Sequence, residues 1–397
     1  MPLLRNWRKK PVTKNSEKRV PALRFKGFTN DWEQRKFENL VSRLSKTSNN
    51  ESLPNVTYDD IKSRENSLNK DITKLTHGKK GIHFNKDDIL FGKLRPYLGN
   101  ILLARFNGIA VGDFWVLSPK DNNISSFLFD LIQTSKYKYI SNLSSGSKMP
   151  RSDWNLVSKA SFWVPIQQEQ NKIGKIFQLI DNLVSLQQRK LKDIQLLKKA
   201  YLKAIFKSNK STYKLKDIAD YRRGSFPQPY GNPKWYGGDG SLPFVQVIDV
   251  AKNLRLYNST KQRISRLAQS KSVFVPKDSI LITLQGSIGK VAITQYDAFV
   301  DRTLLIISNL KKDVDKYYFA YALQDKFNEE KRKAPGGTIK TITKNALSEF
   351  QIKLPKKDIQ KKQSSILQKI DKDIYIINLK LSELSKFKQF LLQNMFI

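Results

Sequence analysis

Residues 165–191 read PIQQEQNKIGKIFQLIDNLVSLQQRKL, and residues 355–381 read PKKDIQKKQSSILQKIDKDIYIINLKL. Laid over one another, Pro165 falls on Pro355, Gln170 on Gln360, Ile176 on Ile366 and Ile180-Asp181 on Ile370-Asp371, at a constant shift (371 − 181 = 190). The match runs on without a gap through Lys190-Leu191 on Lys380-Leu381, Leu202 on Leu392 and Phe206 on Phe396. In the first copy Ile173, Phe177, Ile180, Val184, Leu191, Ile194 and Tyr201 fall in steps of three and four, with Gln187 breaking the stripe. The second places Leu367, Ile370, Ile374, Ile377, Leu381, Leu384 and Leu391 in the same phase. That is coiled-coil spacing, and each copy begins just behind a proline, which suits the entry of a helix. At 1.5 Å per residue, ~40 residues make a rod of roughly 60 Å. Each helix could pack only on its own globular unit. Equal length, equal phase and a narrow stripe instead favour pairing with each other, through Phe177, Ile180, Val184, Leu191 and Ile194 against Leu367, Ile370, Ile374, Leu381 and Leu384.

The repeat extends backward from the helices. GIAVGDFWVLS (108–118) lies over AFVDRTLLIIS (298–308), and SGSKMPRSDWNLVS (145–158) over PGGTIKTITKNALS (335–348). With a one-residue adjustment KDDILFGKLRPYLGNI (86–101) lies over KDSILITLQGSIGKV (277–291), and WEQRKFENLV (32–41) corresponds to STYKLKDIAD (211–220). A period this long means two domains rather than a solenoid. Short runs rich in β-branched residues, such as FVQVIDV, SILITL and LLIIS, are bounded by turn formers and read as strands. ISSFLFDLIQTSKYKYI and KYYFAYALQDKFNEEKRK carry helical spacing. The expected class is therefore mixed α/β (α+β). The divisions are a basic leader at 1–20, globular domains at 21–165 and 211–355, and long helices at 166–210 and 356–397.

The chain has 397 residues, 72 Lys+Arg and 35 Asp+Glu, for a net charge of +37. A field of that sign and size favours a polyanion, nucleic acid first and an anionic membrane surface second. Without cysteine there are no disulfides and no thiolate metal sites, and no stretch is long and apolar enough to span a membrane. A soluble, cytoplasmic protein is the expectation.

Catalytic patterns are absent. His77 and His83 lack the cysteine or acidic neighbours of a metal site and read as surface or turn residues, so no metal is expected. GSIGKV (286–291) has a Gly-Lys pair, but Leu284 stands where a P-loop needs glycine and no Ser/Thr follows. NPKW (232–235) resembles the Asn-Pro-Pro-aromatic signature of amino-methyltransferases. Lys234 holds its third position, however, and no glycine-rich loop offers a methyl-donor site, so it reads as a turn. The sequence describes a binder with no catalytic residues.

Two loop types recur. Lys93, Arg95 and Tyr97 in GKLRPYLGN (92–100) correspond to Gln285, Ser287 and Lys290 in TLQGSIGK (283–290). Lys148 and Arg151 in SGSKMPRSDW (145–154) correspond to the region of Thr338, Lys340 and Lys344 in PGGTIKTITK (335–344). Arginine can grip guanine and glutamine adenine through paired hydrogen bonds, while lysine and backbone amides hold phosphates. Like scaffolds with different tips would read different bases; otherwise these are solvated turns. Arg222-Arg223-Gly224, Lys234-Trp235-Tyr236 and Arg302 are further, weaker candidates.

With these residues in place, the chain resembles the specificity subunit of type I restriction–modification enzymes. Leu23-Arg24-Phe25-Lys26-Gly27-Phe28 with Trp32-Glu33 matches that family's opening pattern. VPIQQEQNKIGKIFQLID matches the passage from recognition domain to helix, whereas Ile359-Gln360 replaces Glu-Gln in the second copy. The resemblance implies two target recognition domains, each reading half of a split DNA site. It implies two long helices packed as an antiparallel coiled coil about a pseudo-twofold axis, with helix length setting the gap between half-sites. It implies a non-catalytic subunit bound to double-stranded DNA, two methyltransferase subunits and two motor–nuclease subunits. This chain would bind no cofactor; S-adenosylmethionine, ATP and Mg would be used by the partners. A bifunctional nuclease–methylase would need motifs the chain lacks. A coiled-coil nucleic-acid adaptor without duplex specificity is the remaining alternative.

Overall fold

The computed structural model describes residues 7–9, 20–143, 149–208, 211–333 and 342–397, except for the side chains of 7–9 and Lys344. Of the basic leader at 1–20, only 7–9 and Val20 therefore fall within the description. The chain forms two compact units: 1–189 with 379–397, and 190–378.

In the first unit, strands Ile101–Leu103, Ile89–Gly92, Phe114–Pro119 and Val41–Leu44 form an antiparallel sheet in that order. A second sheet runs Thr47–Ser48, Gly81–Phe84, Gly108–Ala110, Asn55–Val56, with only the last pair parallel. Ile89–Gly92 is buried along its whole length, so one apolar run feeds both faces of its sheet. Its core gathers Trp32, Phe37, Phe91, Trp115, Phe127 and Phe162 beneath short helices at Ser125–Leu131, Ser135–Ser141 and Trp154–Lys159.

The second unit repeats the plan. Ala219–Arg223, Leu304–Leu310, Ile280–Thr283 and Val291–Ile293 make the antiparallel sheet. Gln262–Ile264, Leu242–Val245, Ala298–Val300 and Val273–Val275 make the other, again with one parallel pair. The edge strands differ. Thr47–Ser48 pairs with Gly81–Phe84 in the first unit, whereas Gln262–Ile264 pairs with Leu242–Val245 in the second. That edge carries a further aromatic cluster of Phe226, Trp235, Phe244 and Phe299.

The long helices span Gln167–Ser208 and Lys357–Asn394. The recurring glutamine fixes where each begins. Gln170 Nε2 donates to the Pro165 carbonyl (3.0 Å) while its Oε1 accepts from the Ile124 amide (2.9 Å). Gln360 does the same with Pro355 (2.7 Å) and Asp315 (2.9 Å). Glu169, fully buried, takes a bidentate bond from Arg24 (both 2.7 Å), which explains the paired Arg24 and Glu169 of the sequence. At the matching position Ile359 is exposed.

Both units hold segments of both helices. In the first, Phe396 lies against Phe127 and Phe177, and Lys388 donates to Asp181 (2.6 Å), so the two segments run antiparallel. In the second, Phe206 lies against Tyr318 and Lys198 donates to Asp371 (2.5 Å). These are the same positions once duplicated. All ten residues read as pairing positions are buried or half-buried. Phe177, Ile180 and Leu367 belong to the cores of their globular units, so the stripe serves those cores as well as the helix contact. No helix among the described residues is long and apolar enough to cross a membrane.

Candidate nucleic-acid interface

In the first unit the chain leaves buried strand Ile89–Gly92 into the loop carrying Lys93, Arg95 and Tyr97. The second candidate loop meets it there. Arg95 N donates to the Pro150 carbonyl (2.7 Å), Ser152 N to the Lys93 carbonyl (2.9 Å), and Leu94 forms a bridge with Arg151. Tyr58 secures the junction from beneath, its hydroxyl accepting from Leu94 N (3.0 Å) and donating to the Asp113 carbonyl (2.6 Å). Burial pushes the Tyr58 hydroxyl up to about 12, so it stays a neutral donor. The Asp113 carboxylate pairs with Arg151 (3.1 Å) and Lys93 (3.6 Å). It therefore holds both cations at one edge while Arg95 and Tyr97 stand exposed. Arg95 adopts the left-handed region (φ 49°, ψ 60°), which costs an ordinary residue about 1–2 kcal/mol. The Pro150 bond and the following turn hold it there.

The second unit builds the equivalent loop differently. Thr283, fully buried, donates through Oγ1 to the Ser287 carbonyl (2.6 Å) and accepts from Lys290 N (2.9 Å), closing a tight turn. Gly289, at φ 77°, is required: a Cβ there would lie 2.4 Å from the Phe327 ring. Gln285 and Ser287 are left exposed at the tip. Arg222 and Arg223 line a cavity of about 340 Å³ with Leu284 and Thr343, so here too both candidate loops border one site. Lys290 does not join the tip and lines a different cavity with Lys198 and Lys331. Arg302 is exposed and stacks over Tyr230 (5.2 Å). Lys148, Thr338, Lys340 and the side chain of Lys344 lie outside the described residues.

Several participants escaped the sequence reading. Asp113 is a lone acid in an apolar strand turn, and Tyr58 lies in a separate loop. Tyr230 donates to Asp301 (3.0 Å), which is fully buried, and accepts from Gln246 Nε2 (2.9 Å). Only the density of aromatics in GSFPQPYGNPKWYGG hinted at it. NPKW is a turn: Asn232 caps Lys234 N (3.1 Å) and Trp235 is buried. Among the described residues no cluster of His, Asp and Glu could hold a metal.

Residues 29–196 and 207–386 each match the type I restriction modification DNA specificity domain. The chain belongs to this family. One relative of these specificity domains is the putative type I restriction enzyme MjaX specificity subunit of Methanocaldococcus jannaschii. It is 23% identical over 405 residues, covering 90% of this chain and 91% of the relative. The EcoDI specificity subunit of Escherichia coli is 24% identical over 189 residues, 43% of this chain and 41% of that one. The fold matches the S subunit of a type I restriction-modification system from M. genitalium at TM-score 0.67. That protein is 15% identical, and the match covers 95% of this chain and 99% of the other.

Proposed function

We propose that the chain is the sequence-reading, non-catalytic subunit of a type I restriction–modification complex. Each unit reads one half of a split DNA site, and partner subunits methylate adenine and cleave. Target recognition domains at 21–165 and 211–355 and spacer helices at 166–210 and 356–397 follow from this reading, as does a cytoplasmic place of action. The observation that carries it is the recurrence of one scaffold with different tips. In each unit a buried strand leads into an exposed tip, Ile89–Gly92 into Arg95 and Tyr97 in the first and Ile280–Thr283 into Gln285 and Ser287 in the second. Arg95 suits a guanine edge and Gln285 an adenine edge, with Arg151 and Arg222 at phosphates. The first long helix carries exposed Leu179, Leu183, Leu186, Leu196 and Leu197, which suit docking of a methyltransferase subunit, of which the complex holds two. Two motor–nuclease subunits complete the assembly, and S-adenosylmethionine, ATP and Mg belong to these partners.

The test is genome-wide methyladenine mapping with the chain co-expressed with its methyltransferase partner. One asymmetric split motif is expected, with Arg95→Ala altering one half and Gln285→Ala the other. Methylation at a continuous motif, or none above a strain lacking this chain, would refute the reading and favour an adaptor without duplex specificity.

A further inference from the structure

Within the second unit a cavity of about 380 Å³ is lined by Lys198, Lys252, Lys290 and Lys331. It is set among the first long helix, the loop after Val247–Asp249, strand Val291–Ile293 and helix Lys316–Lys333. Lys290 is clamped in place from both sides. Gln324 Nε2 donates to the Gly289 carbonyl (2.9 Å), and its Oε1 accepts from Val291 N (3.0 Å). Gln324 lies on the helix that carries Lys331, so these bonds tie the backbone on both sides of Lys290 to the helix bearing a second lysine. Burial first, and then the Lys290 charge, push the Lys331 ammonium below its ordinary value. Lys198 is already paired with Asp371. Lys252, Lys290 and Lys331 have no ion-pair partner among the described residues, and Asp325 is the one carboxylate on the wall. Like charges are thus gathered in a half-enclosed, polar recess with too few counter-charges, the arrangement an anion relieves.

We propose that this cavity binds a phosphate group, its oxygens held by the Lys290, Lys331 and Lys252 ammonium groups. Lys290 closes the loop whose tip carries Gln285, but the other lining residues, Lys252 and Lys331 among them, lie outside both tip loops. Two sources share this chemistry: a small soluble polyphosphate and a backbone phosphate of nucleic acid. Calorimetric titration of the full chain with tripolyphosphate, and anisotropy titration with a fluorescent duplex, separate them. Lys331→Gln is compared with Lys159→Gln, an exposed lysine of the first unit. Loss of one charged contact should weaken the ligand about tenfold. Tripolyphosphate binding weakened by Lys331→Gln and not by Lys159→Gln supports the site and assigns the small anion. Duplex affinity weakened in the same pattern, without tripolyphosphate binding, supports the site and assigns the backbone. Equal effects of the two variants, or none, overturn the proposal. Removing the Lys331 charge relieves repulsion, so its urea midpoint should not fall, and a folded variant with unchanged binding counts against the site.

Discussion

The junction of the long helices with the second unit makes a quantitative prediction at Tyr321. Its hydroxyl is buried and donates to Asp371 Oδ2 (2.6 Å), while Lys198 Nζ holds the other carboxylate oxygen. Burial and the Asp371 charge keep that hydroxyl neutral, so it is always available as a donor. Tyr321→Phe keeps the ring and removes the bond. A hydrogen bond to a charged group contributes about 1.5–3 kcal/mol. Because Asp371 retains slight exposure (8%), water can partly replace the hydroxyl, and the lower end, about 1.5–2 kcal/mol, is expected. Lys198→Met removes the counter-charge itself. Breaking a buried pair costs about 3–5 kcal/mol, and with side chains 13% and 10% exposed about 2–4 is appropriate. Lys198→Met/Asp371→Leu leaves no stranded charge and should recover at least half of that loss. The assay is urea titration read by hydrogen exchange in peptides from 190–208 and 357–378, since two units need not unfold as one. A loss below about 0.5 kcal/mol for Tyr321→Phe, or a double variant as unstable as the summed single ones, would refute the triad as a structural tie.

In the first unit Asp130 takes the place of Tyr321, and burial, aided by the Asp181 charge and opposed by Lys388, pushes its carboxyl well above the usual value. A raised acid contributes stability that is complete below about pH 4 and lost as pH rises through its folded value, so Asp130→Asn should match the native chain near pH 4 and exceed it increasingly toward pH 8. Urea midpoints of peptides from 125–143 across that range check this, and parallel curves would refute it. On the outer face of the first long helix, Leu179→Asp with Leu183→Asp replaces side chains 62% and 47% exposed. It should change the urea midpoint by the equivalent of less than about 0.5 kcal/mol while abolishing co-purification with the methyltransferase subunit. Retained co-purification would remove these leucines from the docking face.

The duplication and the starts of the two long helices were legible because they rest on local, gap-free signals. Pro165 with Gln170 and Pro355 with Gln360 sit five residues apart, and each glutamine reaches back to its own proline carbonyl. What stayed hidden depends on partners distant in sequence. Asp113 gathers Lys93 and Arg151 from positions 20 and 38 residues away, and nothing in its strand turn distinguishes it from a solvated aspartate. Lys290 aligned with the loop tip, yet Gln324, on a later helix, fixes the backbone on both sides of it and sets it in another cavity. The exchange of Asp130 for Tyr321 was likewise invisible. Both occupy apolar helical stretches, and each acquires its meaning only from the second long helix.

The two copies also show which positions can change without losing the fold. Contacts present in both are backbone-directed or at least partly buried: glutamine to the proline carbonyl, lysine to aspartate, and a helix-terminal phenylalanine against the neighbouring aromatic. Losing any of these leaves a polar group without its partner or opens a cavity, at a cost of about 1–5 kcal/mol, least at the half-exposed Asp181. The loop tips bear no such cost. Arg95, Tyr97, Gln285 and Ser287 project into solvent from turns whose geometry is set by Tyr58, Thr283 and Gly289 beneath them. Stability therefore resides in the residues beneath the tips, and under the proposed function base choice would reside in the tips themselves. A tip can exchange arginine for glutamine for about a few tenths of a kcal/mol, whereas the scaffold beneath it cannot, so under the proposed function the half-site read could change while the two units and their helices stay as they are.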